Sequence, residues 1–273
     1  MESGEDKINI YRINHCILMC YDVKTKLESQ LRRAKRFNDQ EWINELEENL
    51  LPYKDHPYFH VSGYSHPKLL IYTNDKPYVP SVSIWGLVPH WIKNNDQKLK
   101  FWNNTLNARG ETIFEKPSFR DSAKNKRCIL HLDGFYEHHH FKGKTYPFFI
   151  AGKDKKPLSI AGLWSEWVDK ETGEVLNTFS IVTTKGNNLM AKIHNNPKLS
   201  EPRMPVILSE EMEDLWLEPI NSKNKRKEII ELIQSCPENK LEAHTVRKLR
   251  GKEAVGNGTE ASTYFEYKEL EVA

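Results

Sequence analysis

The feature that most constrains the fold is a series of seven short segments rich in β-branched and aromatic residues, all downstream of Pro52 and separated by turn residues. Such residues favour strands, and turn residues between them favour direct strand-to-strand connections. We therefore predict an α+β fold whose mostly antiparallel sheet curls into a barrel-like core with flanking helices. The predicted strands are 68–73, 81–87, 127–135, 146–151, 158–163, 178–184 and 206–208.

Helical periodicity appears on both sides of this strand-rich region, where apolar residues recur at helical spacing among charged ones. Pro52 and Pro237 are expected to end two of these helices, and Ser209 is a predicted N-cap. From Gly251 onward polar residues and glycine predominate, which predicts a poorly ordered tail over 251–273. The predicted helices are 24–37, 41–51, 188–194, 209–217 and 223–235.

Length and charge leave most function classes open. A chain of 273 residues without a long Gly, Ser or Pro linker favours one domain, and a net charge of +2 neither requires nor excludes a nucleic-acid partner. No apolar run has membrane length, and residues 1–18 do not have the apolar core of a secretory signal, so we expect no membrane partner. The cysteines are too irregularly spaced for a disulfide framework or a zinc module, which predicts reduced thiols and a cytoplasmic location: Cys16, Cys20, Cys128 and Cys236.

Cys20 is the most informative cysteine if it becomes the N-terminal residue. It would then offer an α-amine with a pKa of about 7.7–8.0 beside a thiol with a pKa of about 8.5. The uncharged amine can attack an aldehyde, and the thiol can close on the resulting imine carbon to give a five-membered thiazolidine. From spacing alone, a small buried residue at a helix start is the favoured interpretation.

Candidate proton carriers and phosphate ligands lie further along the chain. His194 ends a predicted strand-to-helix segment and suits proton transfer near neutral pH, although a histidine with one structural hydrogen bond has the same pattern. Glu137 ends an apolar run and can donate a proton if burial raises its pKa, or can form a plain ion pair. The stretch 107–137 also holds the amide of Asn107 and two arginines suited to phosphate, Arg109 and Arg120.

Two aromatic and histidine clusters remain. Trp85 and Trp91 lie on either side of a turn, where they are either core residues or stacking platforms for single-stranded bases. His138, His139 and His140 are consecutive in a predicted strand and alternate between its faces, with no second ligand cluster, so we predict no metal site.

Several motifs together make the chain resemble the SOS response-associated peptidase (SRAP) family over about residues 19–250. No one of these motifs is specific, but their order along the chain is. They are Met19-Cys20, Trp85-Gly86-Leu87-Val88-Pro89-His90-Trp91, Asn107-Ala108-Arg109-Gly110-Glu111-Thr112, Lys116-Pro117-Ser118-Phe119-Arg120, Arg127-Cys128-Ile129-Leu130, Asp133-Gly134-Phe135-Tyr136-Glu137, Thr183-Thr184, Ile193-His194 and Arg203-Met204-Pro205-Val206-Ile207-Leu208.

The resemblance implies a sensor of abasic sites in single-stranded DNA that forms a covalent thiazolidine crosslink, with self-processing peptidase activity and AP-lyase activity, in the DNA damage or SOS response. By matching motif positions, Cys20 is the implied nucleophile after removal of Met19. Asn107 is implied to orient its amine, and Glu137 and His194 to move protons.

For DNA, the resemblance implies that Arg109 and Arg120 hold backbone phosphates, that Thr183 lies near the sugar-phosphate, and that Trp85 and Trp91 lie in the DNA-binding groove. It implies no cofactor and no metal. The expected protein is a monomer, cytoplasmic and associated with the nucleoid when bound to DNA.

This chain departs from the family pattern at two places. The family cysteine is residue two, whereas Cys20 follows nineteen residues, so we expect residues 1–18 to be an extension that is not translated or is removed before the domain at 19–250. Eight residues, 195–202, separate His194 from Arg203, where many members have almost none. We expect this insertion to alter the rim of the site.

Two other functions are compatible with the same residues. A general cysteine peptidase could use Cys20, His194 and Glu137 on other proteins, but no specificity pocket can be read from the sequence. A non-covalent binding module for single-stranded or modified DNA would need only the arginines and tryptophans. Binding that survives Cys20→Ala and does not prefer abasic DNA would identify the second.

Overall fold

The computed structural model describes residues 21–38, 40–50 and 57–270; Cys16, Met19 and Cys20 lie outside them. The strands are β1 (Asp22–Thr25), β2 (Tyr58–Ser62), β3 (Lys68–Thr73), β4 (Ser81–Trp85), β5 (Asn107–Arg109), β6 (Arg127–Leu132), β7 (Gly134–Phe141), β8 (Lys144–Gly152), β9 (Leu158–Val168), β10 (Val175–Lys185), β11 (Arg203–Pro205), β12 (Ile207–Leu208) and β13 (Leu241–Thr245). The α-helices are α1 (Leu27–Gln30), α2 (Arg32–Phe37), α3 (Gln40–Asn49), α4 (Asn95–Trp102), α5 (Arg120–Asn125), α6 (Asn188–Ile193), α7 (Glu210–Leu217) and α8 (Lys223–Glu231).

Five strands close into a barrel. β10 pairs with β4, β4 with β3, β3 with β6, β6 with β9, and β9 returns to β10. Every pair in this circuit is antiparallel except β10 with β4. β10 is 11 residues long, and further along its length it also pairs with β5 in parallel and with β11 in antiparallel orientation. The predicted α+β fold with a mostly antiparallel, barrel-like sheet is confirmed.

A second, antiparallel sheet has the order β13-β8-β7-β1-β2. Its inward side chains, which include Val23, Phe135 and Ile150, share one buried cluster with barrel residues such as Ile71 and Phe179. This packing holds β7, which carries Glu137, against the barrel. It also places β1 between β7 and β2 of the second sheet.

Helices cover the outer wall of the barrel. Outward residues of its strands, such as Ile129 and Val182, pack with Trp216 of α7 and Ile229 of α8. The ring nitrogen of Trp216 donates a hydrogen bond to the carbonyl of Cys128 at 3.0 Å, which ties α7 to β6. Within the described residues, no helix is both long enough and apolar enough to cross a membrane.

The first predicted helix begins later than its sequence pattern indicates. Residues 24–37 have helical spacing, but Asp22–Thr25 forms a strand and α1 starts at Leu27. Val23 and Thr25 are fully buried, and β1 lies between β2 and β7. Pairing on both edges and burial outweigh the local helical preference of these residues.

Residues 251–270, for which composition predicts poor order, pack against the second sheet. Ala261 is fully buried, and the Thr245 hydroxyl donates to the carbonyl of Phe265 at 2.6 Å. The Lys24 ammonium donates to the Ser262 hydroxyl at 2.7 Å. Tertiary contacts with β1 and β13 therefore order a segment whose own composition is polar.

A buried ion pair joins α2 to α7. Arg33 Nη1 lies 2.6 Å from Glu213 Oε2, and both side chains are 1% exposed. Arg36 Nη2 lies 3.0 Å from the same oxygen, and the Ser159 hydroxyl donates to the other at 2.5 Å. Burial alone raises the pKa of Glu213, but the hydrogen bonds from His131, Ser159 and Arg33 outweigh burial and lower the pKa to about 2.

Glu213→Gln is expected to lower the free energy of unfolding by about 3 kcal/mol at pH 7, because the buried Arg33 loses its buried carboxylate partner and keeps only the exposed Asp214. Since the folded pKa of Glu213 lies below the ordinary value for a glutamic acid, its stabilisation is present above that ordinary value and is lost as the pH falls towards 2. Urea unfolding at several pH values should therefore show the two proteins converging in acid. Glu231→Gln, at an exposed pair with Lys227, is the control; equal midpoints for all three proteins at pH 7 would contradict this prediction.

Candidate active site

The centre of the candidate site is a buried pair formed by Glu137 of β7 and His194, which follows α6. Their side chains are 5% and 3% exposed, and His194 Nε2 lies 3.6 Å from Glu137 Oε2. His194 Nδ1 lies 3.2 Å from the carbonyl oxygen of Arg203. Because a carbonyl only accepts, Nδ1 carries the proton, and the lone pair of Nε2 faces Glu137.

Burial sets the protonation of both groups. It raises the pKa of Glu137 well above its usual value, and the charge of Asp22 raises it further. Burial also lowers the pKa of His194, although the hydrogen bond to Arg203 opposes this shift. Both shifts favour the neutral form, which suits Glu137 to donate a proton and His194 to accept one. Among the described residues, none hydrogen-bonds to Glu137 Oε1.

Arg203 is a buried hub beneath this pair, and the sequence reasoning did not assign it a role. Its guanidinium is 1% exposed and binds both oxygens of Glu111 at 2.8 Å. It also donates to the carbonyl of Thr183 at 2.9 Å and contacts Glu201 at 3.1 Å. The Arg-Met-Pro motif was the available signal, but sequence does not reveal which side chains surround an arginine.

Asn107 and Thr183 lie on paired strands of the barrel wall. Asn107 is opposite Ile181, and Thr183 is opposite Arg109. Asn107 is 4% exposed and Thr183 is fully buried, with its hydroxyl 3.4 Å from the carbonyl of Ala108. Thr183 therefore supports Arg203 and β5 from within the wall, and in this conformation its side chain cannot make the predicted contact with a sugar-phosphate.

Three of the predicted DNA-binding side chains are exposed. Arg109 is exposed, the Arg120 side chain is 52% exposed and Trp91 is 37% exposed. The ring nitrogen of Trp91 donates to the carbonyl of Pro117 at 3.3 Å, which places the ring beside the segment that leads into Arg120. A cationic and aromatic surface of this kind suits a flexible polyanion with stacking bases.

The prediction that Trp85 stacks on bases is not supported, because its ring is fully buried. Its ring nitrogen donates to the carbonyl of Leu106 at 2.8 Å, and its ring stacks on Phe179 at a centroid distance of 6.2 Å. Gly63 also packs closely against the Trp85 ring. Trp85 is a core residue at the end of β4.

The start of β1 is held by a charge cluster that the sequence reasoning also missed. Asp22 is 2% exposed; its carboxylate lies 2.5 Å from Arg250 Nη2 and 3.2 Å from His60 Nε2. Burial raises the pKa of Asp22, but the hydrogen bond to His60 and the charge of Arg250 outweigh burial, so the net pKa is lowered. These contacts fix the strand that directly follows Cys20.

The consecutive histidines of β7 differ in environment. All three are half-buried, and burial lowers the pKa of His138 to about 4 and also lowers the pKa of His140. His139 Nδ1 lies 2.9 Å from the carbonyl of Lys192. Across residues 21–38, 40–50 and 57–270, no group of three or more His, Cys, Asp or Glu side chains is arranged to hold a metal ion.

Comparison with known proteins assigns the chain that carries this site to a family. The model of the SOS response associated peptidase (SRAP) family matches residues 19–252, which include the Glu137–His194 pair and the whole barrel. The chain belongs to the SRAP family. The prediction from the ordered motifs is confirmed.

The curated relatives share a description. Abasic site processing protein YoqW of Bacillus subtilis is 41% identical over 167 residues, which are 60% of this chain and 68% of the relative. Abasic site processing protein HMCES of Pongo abelii is 34% identical over 163 residues, 49% of this chain and 44% of the relative.

Solved structures of the SRAP fold are also similar. A crystal structure of a Bacteroides thetaiotaomicron protein has a TM-score of 0.76 and 32% identity, covering 90% of this chain and all of that one. A Bordetella bronchiseptica protein has a TM-score of 0.63 and 23% identity, and the match covers 83% of this chain and 99% of that one. At this identity the match supports only a shared fold.

Proposed function

We propose that this SRAP protein senses abasic sites in single-stranded DNA and links itself to them through an N-terminal Cys20. The main observation behind the proposal is the buried pair of Glu137, suited to donate a proton, and His194, suited to accept one. Glu137 Oε2 and His194 Nε2 lie 3.6 Å apart. The names of the relatives YoqW and HMCES, both abasic site processing proteins, support the choice of lesion. We infer one functional unit over residues 19–250.

Chain connectivity supports the placement of Cys20 near this pair. Asp22 lies opposite Tyr136, the residue before Glu137. Two residues span at most about 7 Å, so the Cα of Cys20 is within that distance of the Cα of Asp22. The contacts of Asp22 with Arg250 and His60 hold this end of the strand in place.

The proposed reaction is a condensation in which each transferred proton has a donor and an acceptor. The neutral α-amine of Cys20 attacks the C1′ aldehyde of the open abasic sugar, and the carbinolamine then loses water to give an imine. Glu137 supplies the proton that the departing hydroxyl needs. The thiol sulfur adds to the imine carbon, its proton ends on the nitrogen, and His194 carries protons between these groups. Asn107 would orient the amine.

We infer that the same residues release whatever precedes Cys20. The thiol would attack the carbonyl of Met19, the amide nitrogen of Cys20 would gain a proton from Glu137, and water would free the shortened chain. AP-lyase activity would use His194 to remove the proton α to the imine carbon. These activities would place the protein in the DNA damage response, in the cytoplasm and at the nucleoid.

A test is intact mass spectrometry of a chain that begins at Cys20, incubated with a single-stranded oligonucleotide carrying one abasic site. We expect a mass gain equal to the oligonucleotide less one water. The same oligonucleotide without the lesion is the control and should give no adduct. No adduct with either oligonucleotide, together with equal affinity for both, would favour a non-covalent DNA-binding module instead.

Arg109→Gln and Arg120→Gln are each expected to weaken binding to single-stranded DNA, because each removes an exposed cation. If each contacts one phosphate, the slope of log K against log salt should become about 0.7 shallower per variant. Fluorescence anisotropy at several salt concentrations measures this slope. Lys227→Gln, on the exposed face of α8, is the charge-matched control, and unchanged slopes for both arginine variants would remove these residues from the interface.

A further inference from the structure

Three aromatic rings of the β7–β8 hairpin lie on the face of the sheet that carries Glu137. Side chains two residues apart in a strand point to the same face, so His139 and Phe141 share the face of Glu137. Directly paired residues of neighbouring antiparallel strands also share a face, and Phe148 of β8 pairs with Glu137. These rings, the aromatic strip (His139, Phe141 and Phe148), run from beside the buried acid to the hairpin turn.

Ring contacts and one hydrogen bond hold the aromatic strip in place. His139 meets Phe148 edge to face at a centroid distance of 6.1 Å, and its ring is within 26° of parallel to Phe141 at 6.4 Å. Because a carbonyl only accepts, His139 Nδ1 donates to the carbonyl of Lys192 at 2.9 Å. The strip is therefore attached to α6, the helix that His194 follows.

The strip leads from a buried site to solvent. Glu137 is 5% exposed, whereas all three rings of the strip are half-buried. Phe148 packs partly against the barrel core, and Phe141 is the last residue of β7. A ligand bound along the strip would therefore pass directly beside the Glu137–His194 pair.

The hairpin turn adds a cation at the outer end of the strip. Phe141 pairs with Lys144, so the turn consists of Lys142 and Gly143, with φ of 47° and 76°. Positive φ at both turn residues is the geometry that favours Asn-Gly, and a lysine in this region is uncommon. Here it brings the exposed Lys142 ammonium to 4.9 Å from the centroid of the Phe141 ring.

Half-exposed rings beside a cation are what proteins use to bind single-stranded nucleic acid, since bases stack on the rings and phosphates contact the cation. The 6.4 Å between the His139 and Phe141 rings is close to two steps of a stacked strand, at about 3.4 Å per nucleotide. An abasic nucleotide has no base to stack. The strand around such a lesion therefore has to be held through its neighbouring bases.

We propose that the aromatic strip is a stacking surface for the bases on one side of the abasic nucleotide and so directs the abasic sugar towards Glu137 and His194. The inference rests on the proposed function, because it takes single-stranded DNA as the ligand. It goes further by placing part of the DNA strand along the β7–β8 hairpin, in addition to the surface of Arg109, Arg120 and Trp91.

The experiment measures binding without the covalent step. The ligand is a single-stranded oligonucleotide in which one tetrahydrofuran spacer, which has no aldehyde, replaces the abasic sugar. Fluorescence anisotropy at several salt concentrations compares the full wild-type chain with Phe141→Ala, Phe141→Trp and Lys142→Gln. Phe37→Ala is the matched control, because this ring on α2 is 42% exposed and contacts Tyr78 in the same tilted manner as a surface aromatic pair.

Phe141→Ala is expected to weaken binding by about five- to hundredfold, the usual effect of removing one stacking ring, with an unchanged salt slope. Phe141→Trp keeps a ring and should bind at least as tightly as wild type. In Lys142→Gln the slope of log K against log salt should become about 0.7 shallower. Phe37→Ala should bind as wild type does, and thermal unfolding should show all variants to be folded.

A second set of oligonucleotides removes bases and leaves the protein unchanged. Further spacers replace two nucleotides on either the 5′ or the 3′ side of the central spacer. We expect wild type to lose affinity on removal of the bases from one side. With that oligonucleotide Phe141→Ala should lose little more, because the ring and the bases are partners in the same contact.

Wild-type affinity in Phe141→Ala, or the same loss in wild type and Phe141→Ala whichever bases are removed, would overturn the inference. Failure of the proposed function has a different signature. In that case an oligonucleotide with a true abasic site gives no adduct with a chain beginning at Cys20, while the affinity changes at Phe141 and at the flanking bases persist.

Discussion

Cys20→Ala, in a chain that begins at residue 20, is expected to reduce the stable DNA adduct to background. The variant retains an N-terminal amine, so it can still form an imine with the abasic aldehyde. It has no thiol to close the ring, and the imine hydrolyses back. Intact mass spectrometry should therefore detect no adduct unless borohydride is added to reduce the imine.

Two controls make this result specific. Cys236→Ser removes a thiol that is 7% exposed, and should leave the adduct unchanged. Acetylation of the N-terminal amine should abolish both the stable adduct and the borohydride-trapped one. A stable adduct in Cys20→Ala would exclude the thiazolidine, and an adduct that depends on Cys236 would relocate the nucleophile.

Glu137→Gln is expected to slow crosslinking at saturating DNA by about 10²–10⁴-fold, the usual contribution of a general acid. Glutamine matches the shape of a protonated glutamic acid but cannot donate that proton. The wild-type rate should rise as the amine deprotonates and fall as the pH passes the raised pKa of Glu137. The alkaline fall should be absent in the variant, and stopped-time gel assays across pH measure both limbs.

Stability separates this effect from misfolding. Because burial raises the folded pKa of Glu137 above the ordinary value for a glutamic acid, its contribution to stability is complete below that ordinary value and is lost as the pH rises through the folded pKa. Glutamine stays neutral, so the variant should unfold at the same or a higher temperature than wild type at alkaline pH. A large loss of stability in Glu137→Gln, or a wild-type crosslinking rate, would contradict the assigned role.

Residue types, and their order along the chain, were sufficient to predict the chemistry. Glu137 and His194 could be nominated because a carboxyl group and an imidazole are the side chains that move protons near neutral pH. Their mutual distance could not be predicted, since they lie 57 positions apart in the chain and the contact exists only because the end of α6 packs on β7. The protonation of Glu137 likewise depends on burial by distant segments.

The two tryptophans of the heptapeptide 85–91 also separate what the sequence predicts from what the structure decides. Sequence left both Trp85 and Trp91 open as core or stacking residues. The structure buries Trp85 in contact with Gly63 and Phe179 at a strand end, whereas Trp91 lies on the turn and stays partly exposed. The two tryptophans are six positions apart but lie in opposite environments, because the barrel wall ends between them.

The sequence by itself determined the fold class, the family and the residue types of the site, because strand-forming runs and ordered motifs are local properties of the chain. Only the tertiary structure decided that β1 pairs with a strand on each edge, that Arg203 is a buried hub and that the Asn195 side chain binds the backbone of His140. Each of these depends on contacts between residues far apart in sequence, such as Asp22 with Arg250 or Asn195 with His140. Burial and pairing across such distances set charges and positions that no local pattern encodes.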